Sequence, residues 1–75
     1  MTLEETALDV PVRVLGFAGI EDEDKIRLTG LGLRPGVSVT KILRTPLRDP
    51  VECLVGAQLL AIEARLLAQI QVEAE

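Results

Sequence analysis

The sequence has 75 residues, carries a formal net charge of −4 and is 48% hydrophobic, with Phe17 its one aromatic residue and no His, Trp or Tyr. That length allows one domain, residues 1–75, in which a single aliphatic core is only just sufficient. The acidic balance argues against nucleic acid and anionic membranes as partners, since both are bound through Lys and Arg. The missing aromatics argue against base stacking and against the grooves that grip proline-rich peptides.

The lone Cys53 cannot form an internal disulfide, which fits a reducing, cytoplasmic setting. No apolar run approaches the roughly 18–20 residues of a membrane span, and Met1-Thr2-Leu3-Glu4-Glu5 lacks the basic start of a signal peptide. The expectation is a soluble, unprocessed protein without direct membrane insertion.

Residues 1–9 read as a loosely ordered lead-in that touches the core through Leu3 and Leu8. Val10, Val12 and Val14 alternate with Pro11 and Arg13 as in a half-buried strand, with Pro11 at its start or on an edge because it has no N–H to donate. Gly16 to Gly19 is a connection. The acidic run Glu21 to Asp24 suits the first turn of a short helix, where carboxylates interact favourably with the helix dipole. Ile26 with Gly30, and Leu28 with Leu31, have the spacing of a helix face, and Gly30 is small enough for close backbone approach.

The stretch Gly30-Leu31-Gly32-Leu33-Arg34-Pro35-Gly36 is a junction: Gly32 stands where a helix ends in a left-handed residue, and Pro35-Gly36 is turn chemistry. A strand begins at Val37, and its alternation breaks at Lys41-Ile42-Leu43, which predicts a bulge or bend of the kind that closes a small barrel. The loop from Arg44 to Pro50 is the most functional-looking exposed segment. Val51–Val55 and Gln58–Ile62 form a hairpin about Gly56-Ala57, Glu63–Ala68 makes one helical turn, and Gln69–Glu73 is a closing strand. Five short strands with one helix are most economically arranged as a small barrel, which disposes of sheet edges.

An enzyme here would have to rely on Cys53, Ser38, the threonines and the carboxylates, none of which has an activating partner in the sequence, so the reading is non-enzymatic and calls for no cofactor. Cys53 shares a strand face with Val51 and Val55 and reads as a small buried hydrophobe. The weak candidates for a metal site are Asp49, Glu52 and Cys53, although adjacent Glu52 and Cys53 point to opposite strand faces. The paired glycines lack the Lys-Ser or Lys-Thr of a phosphate loop. Arg34, Arg44 and Arg48 are either solubilising charges or anchors for an acidic partner surface. Leu33 and Leu47, each beside a turn, are either apolar anchors or core residues.

Arg27-Leu28, the element Gly30-Leu31-Gly32-Leu33-Arg34-Pro35-Gly36-Val37-Ser38-Val39, the loop Pro46-Leu47-Arg48-Asp49-Pro50-Val51-Glu52, the Gly56 hairpin and the ending Ala68-x-Ile70-x-Val72 occur in an order and spacing that resembles the FeoA family of small ferrous iron transport proteins. The resemblance covers most of residues 10 to 73. It implies a mainly β fold, an SH3-like small β-barrel with one inserted short helix. It also implies a cytoplasmic accessory protein that contacts the cytoplasmic portion of the ferrous iron permease FeoB and modulates uptake. The family offers no catalytic residues to carry over. The chain departs from the family pattern around Val10-Pro11, where a glycine is common, and at Glu63, where a basic residue often stands. Two other readings stay open: a divalent-metal sensor or carrier using Asp49, Glu52 and Cys53, and a stand-alone regulatory domain like the one that ends some iron-dependent repressors. Weak self-association is open as well.

Overall fold

In the computed structural model of the chain, residues 1–44 and 48–75 are described, without the side chains of Leu43 and Arg44. After a 3-10 turn at Leu3–Glu5 the elements are β1 (Val12–Phe17), α1 (Asp22–Gly30), β2 (Ser38–Arg44), β3 (Val51–Val55), β4 (Gln58–Ile62), the single turn α2 (Ala64–Leu67) and β5 (Ile70–Ala74). The strands form one antiparallel sheet in the order β4-β3-β2-β1-β5. This is the five-stranded, mainly β arrangement expected from the sequence.

Alternation decides which side of each strand faces inward. Val12 and Val14, Val39, Val51, Cys53 and Val55, Ile62, and Ile70 and Val72 are all buried in one aliphatic core, joined by Leu3, Leu28, Leu33, Leu66 and Leu67. Two register shifts bend the sheet around that core. The shift between Lys41 and Leu43 is the predicted break, whereas the one between Val14 and Gly16 carries β1 on to Phe17, into the stretch read as a connection.

The junction explains how one helix stop and one strand start fit into a few residues. Gly32 N–H donates to the Thr29 carbonyl and Leu33 N–H to the Leu28 carbonyl, both at 3.0 Å, the paired bonds of a Schellman ending, with Gly32 at φ +105°. That ending normally brings together the apolar residues at its two ends, and here Leu28 and Leu33 are both fully buried. Val37 N–H then closes a turn on the Arg34 carbonyl at 3.1 Å, with Gly36 at φ +91° in the position that requires it. Gly36 N–H and Val14 N–H exchange bonds with the Val14 and Val37 carbonyls at 2.8 and 2.9 Å, so the turn is stitched directly to β1.

The lead-in is better fixed than its composition suggests. Glu5 Oε1 accepts the Thr2 N–H at 2.7 Å, Thr2 bridges to Gln71, and Val72 N–H donates to the Met1 carbonyl at 2.9 Å, so residues 1–2 cover the outer edge of β5. Leu3 is fully buried, but Leu8 is 44% exposed and Val10 also lies outside, because the chain between the 3-10 turn and β1 runs over the surface. The bulge in β2 has an unforeseen consequence. Lys41 is buried, and its ammonium donates to the Glu4 carbonyl at 3.1 Å, tying the lead-in to the sheet.

Candidate interaction surface

Side-chain hydrogen bonds tie helix α1 to the two ends of β4, the strand at the other sheet edge. At the C-terminal end of the helix the Gln58 side-chain amide donates to the Leu31 carbonyl, and Gly32 leaves room for it: a Cβ there would stand 2.9 Å from Gln58 Nε2. Within the last turn of the helix, Arg27 donates to Glu63, just past β4, at 2.9 Å and back to Asp24, in the first turn, at 3.3 Å. Arg65 of α2 grips both Asp24 oxygens, at 3.0 and 3.2 Å. These hydrogen bonds, led by the one from Arg65, hold the Asp24 carboxyl below its ordinary pKa. α2 is itself capped by Asp49, whose Oδ1 accepts the Ala64 N–H at 2.9 Å. Leu28 is the one fully buried residue of α1.

The residues that point away from this clamp follow the i, i+4, i+8 line Asp22, Ile26, Gly30, with Lys25 and Thr29 beside it; together the five line an open, shallow depression. Ile26 is 73% exposed, the most exposed large hydrophobic among the described residues. The expected Ile26–Gly30 face therefore exists but turns to solvent, and the close approach predicted at Gly30 is absent: a Cβ there would meet nothing within 4 Å. Leu28 faces inward, while Leu31 is 42% exposed.

The residues singled out in the sequence are not gathered into one site. Leu33 is fully buried, because the Schellman ending turns it into the core, so the anchor reading is replaced by the core one. Arg34 is exposed and folds back to donate its Nε–H to the Thr29 carbonyl at 3.1 Å, where a cation suits a helix C-terminus. Arg48 is exposed with a left-handed φ of 63° and precedes Asp49, the residue that caps α2. Leu47 and the Arg44 side chain lie outside the described residues.

Among the proposed metal ligands, Asp49 is engaged as the α2 cap, Glu52 is half-buried and Cys53 is buried on the opposite strand face. Burial pushes the Cys53 thiol up to about 11, against the opposing effect of the nearby Lys41 charge. Among the described residues no group of three His, Cys, Asp or Glu side chains is placed to hold a metal ion, and no helix is long and apolar enough to cross a membrane.

Sequence reasoning missed two features. The clamp joins residues 36 and 41 positions apart, Arg27 to Glu63 and Asp24 to Arg65, which no local pattern reveals. The outward Ile26 carried a signal, its spacing with Gly30, but spacing defines a stripe and not the side of the helix that the barrel takes.

No functionally curated protein matches the chain. Solved structures do. Iron(II) transport protein A from Clostridium thermocellum superposes with a TM-score of 0.84 at 27% identity over 99% of this chain, which spans only 45% of that one. FeoA from Chlorobium tepidum gives 0.90 at 28% identity, covering 99% of this chain and 70% of that one. FeoA from Stenotrophomonas maltophilia, a prokaryotic SH3 domain protein solved with zinc, gives 0.80 at 25% identity, covering 97% and 89%. The bent five-stranded sheet is thus the SH3-like fold, and a match to the FeoA domain extends over residues 1–74. By that match, running through the junction, the hairpin and the closing strand, the chain belongs to the FeoA domain family, which is associated with ferrous iron transport.

Proposed function

We propose that this protein is a non-enzymatic, cytoplasmic accessory module that docks on the cytoplasmic portion of a FeoB-type ferrous iron permease and modulates uptake, with residues 1–75 acting as one domain. The observation that carries the reading is the family match over residues 1–74. The names of two relatives support it: one is an iron(II) transport protein A, and for the other a role as a ferrous iron transport activating factor has been suggested. The architecture is compatible with such a role. Apart from Lys41, the buried residues described are aliphatic or Cys53, which leaves recognition to the surface.

Calorimetric titration with the purified cytoplasmic domain of the cognate permease, with and without nucleotide and ferrous iron, tests the proposal. Saturable binding is expected. Heat from ferrous iron alone that is saturable and vanishes in Cys53→Ala would transfer the role to the metal carrier reading, for which Asp49, Glu52 and Cys53 would have to leave their present engagements. Binding to a DNA-binding protein in place of the permease would mark a repressor-type domain.

A further inference from the structure

Two residues on the outward stripe of α1 are poor choices for the folded chain itself. Ile26 sets a branched aliphatic side chain at 73% exposure in mid-helix, where it gains little burial and where branching restricts its rotamers. Gly30, one turn further on, is entropically unfavourable in a helix, yet its backbone is helical and a Cβ would find open space. Gly32 and Gly36 are required by positive φ, whereas nothing among the described residues requires Gly30. Single exposed hydrophobes are ordinary on protein surfaces; the pairing with a side-chain-free position at i+4 sets Ile26 apart. An aliphatic knob beside bare backbone suits a second surface that approaches closely.

The charges around the stripe say what that surface carries. Glu21, Asp22 and Glu23 are exposed and make no ion pair among the described residues, whereas Asp24, turned inward, is held by Arg65 and Arg27. Lys25 is set among these carboxylates, and Arg65, already engaged with Asp24, also acts electrostatically on Glu21. The rim is therefore net acidic, and its complement is basic.

We infer that the Asp22–Ile26–Gly30 stripe is the docking contact, with Ile26 entering an apolar pocket of the partner, partner atoms resting on Gly30, and Lys or Arg around that pocket meeting Glu21, Asp22 and Glu23. The inference rests on the docking reading above and adds the chemistry of the partner's surface. The test titrates the purified cytoplasmic domain of the permease with wild-type protein, Ile26→Ala, Gly30→Ala and the double variant Asp22→Lys, Glu23→Lys, with melting curves in parallel. Gly30→Ala is expected to melt at or above the wild-type temperature and yet bind about tenfold more weakly, and Ile26→Ala to lose about 30-fold in affinity with its fold intact. The charge reversal lowers the association rate about tenfold at low salt, a difference that closes at high salt. Wild-type binding that all these variants retain overturns this surface and leaves the docking reading standing. A wild-type protein that does not bind overturns both.

Discussion

The barrel and its helix are built on different physics. Each strand contributes inward-facing aliphatic residues to one shared core, so burial of any one of them supports the others. Helix α1 contributes Leu28 to that core and is otherwise held by Arg27, Glu63, Arg65 and the Gln58 amide at the surface and by the half-buried Asp24. The first kind of attachment is insensitive to salt and pH; the second responds to both. Under the docking proposed above, this division would let α1 adjust on contact while the sheet and its core stay in place.

The largest expected effects break the comparison if they turn out equal. Ile62→Ala opens a cavity at a fully buried site of the sheet and is expected to cost roughly 2–5 kcal/mol of global stability in denaturant titrations. Leu28→Ala is expected instead to release hydrogen-exchange protection in α1 while the strands keep theirs. Global loss in both variants would make the helix an integral part of the core.

Next in size is Cys53→Ser, which puts a hydroxyl into the aliphatic interior near the Val51 carbonyl and should cost about 1–3 kcal/mol, read from the same titrations. In the native protein the raised thiol pKa of about 11 keeps Cys53 protonated at pH 8, so alkylation is expected only through unfolding. Rapid native-state labelling would show the core to be looser than the strands imply.

A smaller effect belongs to the clamp. The Asp24 pKa is lowered from its ordinary 3.8, chiefly by Arg65, so folding favours its carboxylate. The stabilisation is complete above the ordinary value and is lost as pH falls through the lowered one. Asp24→Asn should accordingly flatten the acid limb of stability against pH, and it should change little in high salt, where the wild-type pairs are already weakened. An unchanged acid limb would remove the clamp from the account of how α1 is held.

Much of the fold was legible because its signals are local. Period-two alternation placed Val51, Cys53 and Val55 inward, Gly56-Ala57 announced the hairpin, and the break at Lys41-Ile42-Leu43 announced the bulge. Gly32 and Pro35-Gly36 specified the helix stop and the turn by the positive φ they permit. These features depend on backbone sterics within a few residues of chain, which the sequence states directly.

Sidedness outside the strands was not legible. Leu33 entered the core while Leu8, of equal hydropathy, did not, and Lys41 was drawn inward to a carbonyl while Ile26 was left outside, against the order of their hydropathies. The clamp was equally hidden, since Arg27 meets Glu63 only after β4 is laid beside α1. The sequence by itself determined most of the elements, the turns between them and the family, because these are written in short motifs, but not the span of β1 or the order of the lead-in. Only the tertiary structure decided which stripe of α1 faces solvent, because that depends on the burial of Leu28 and on the Arg27–Glu63 and Asp24–Arg65 pairs, which join residues distant in the chain.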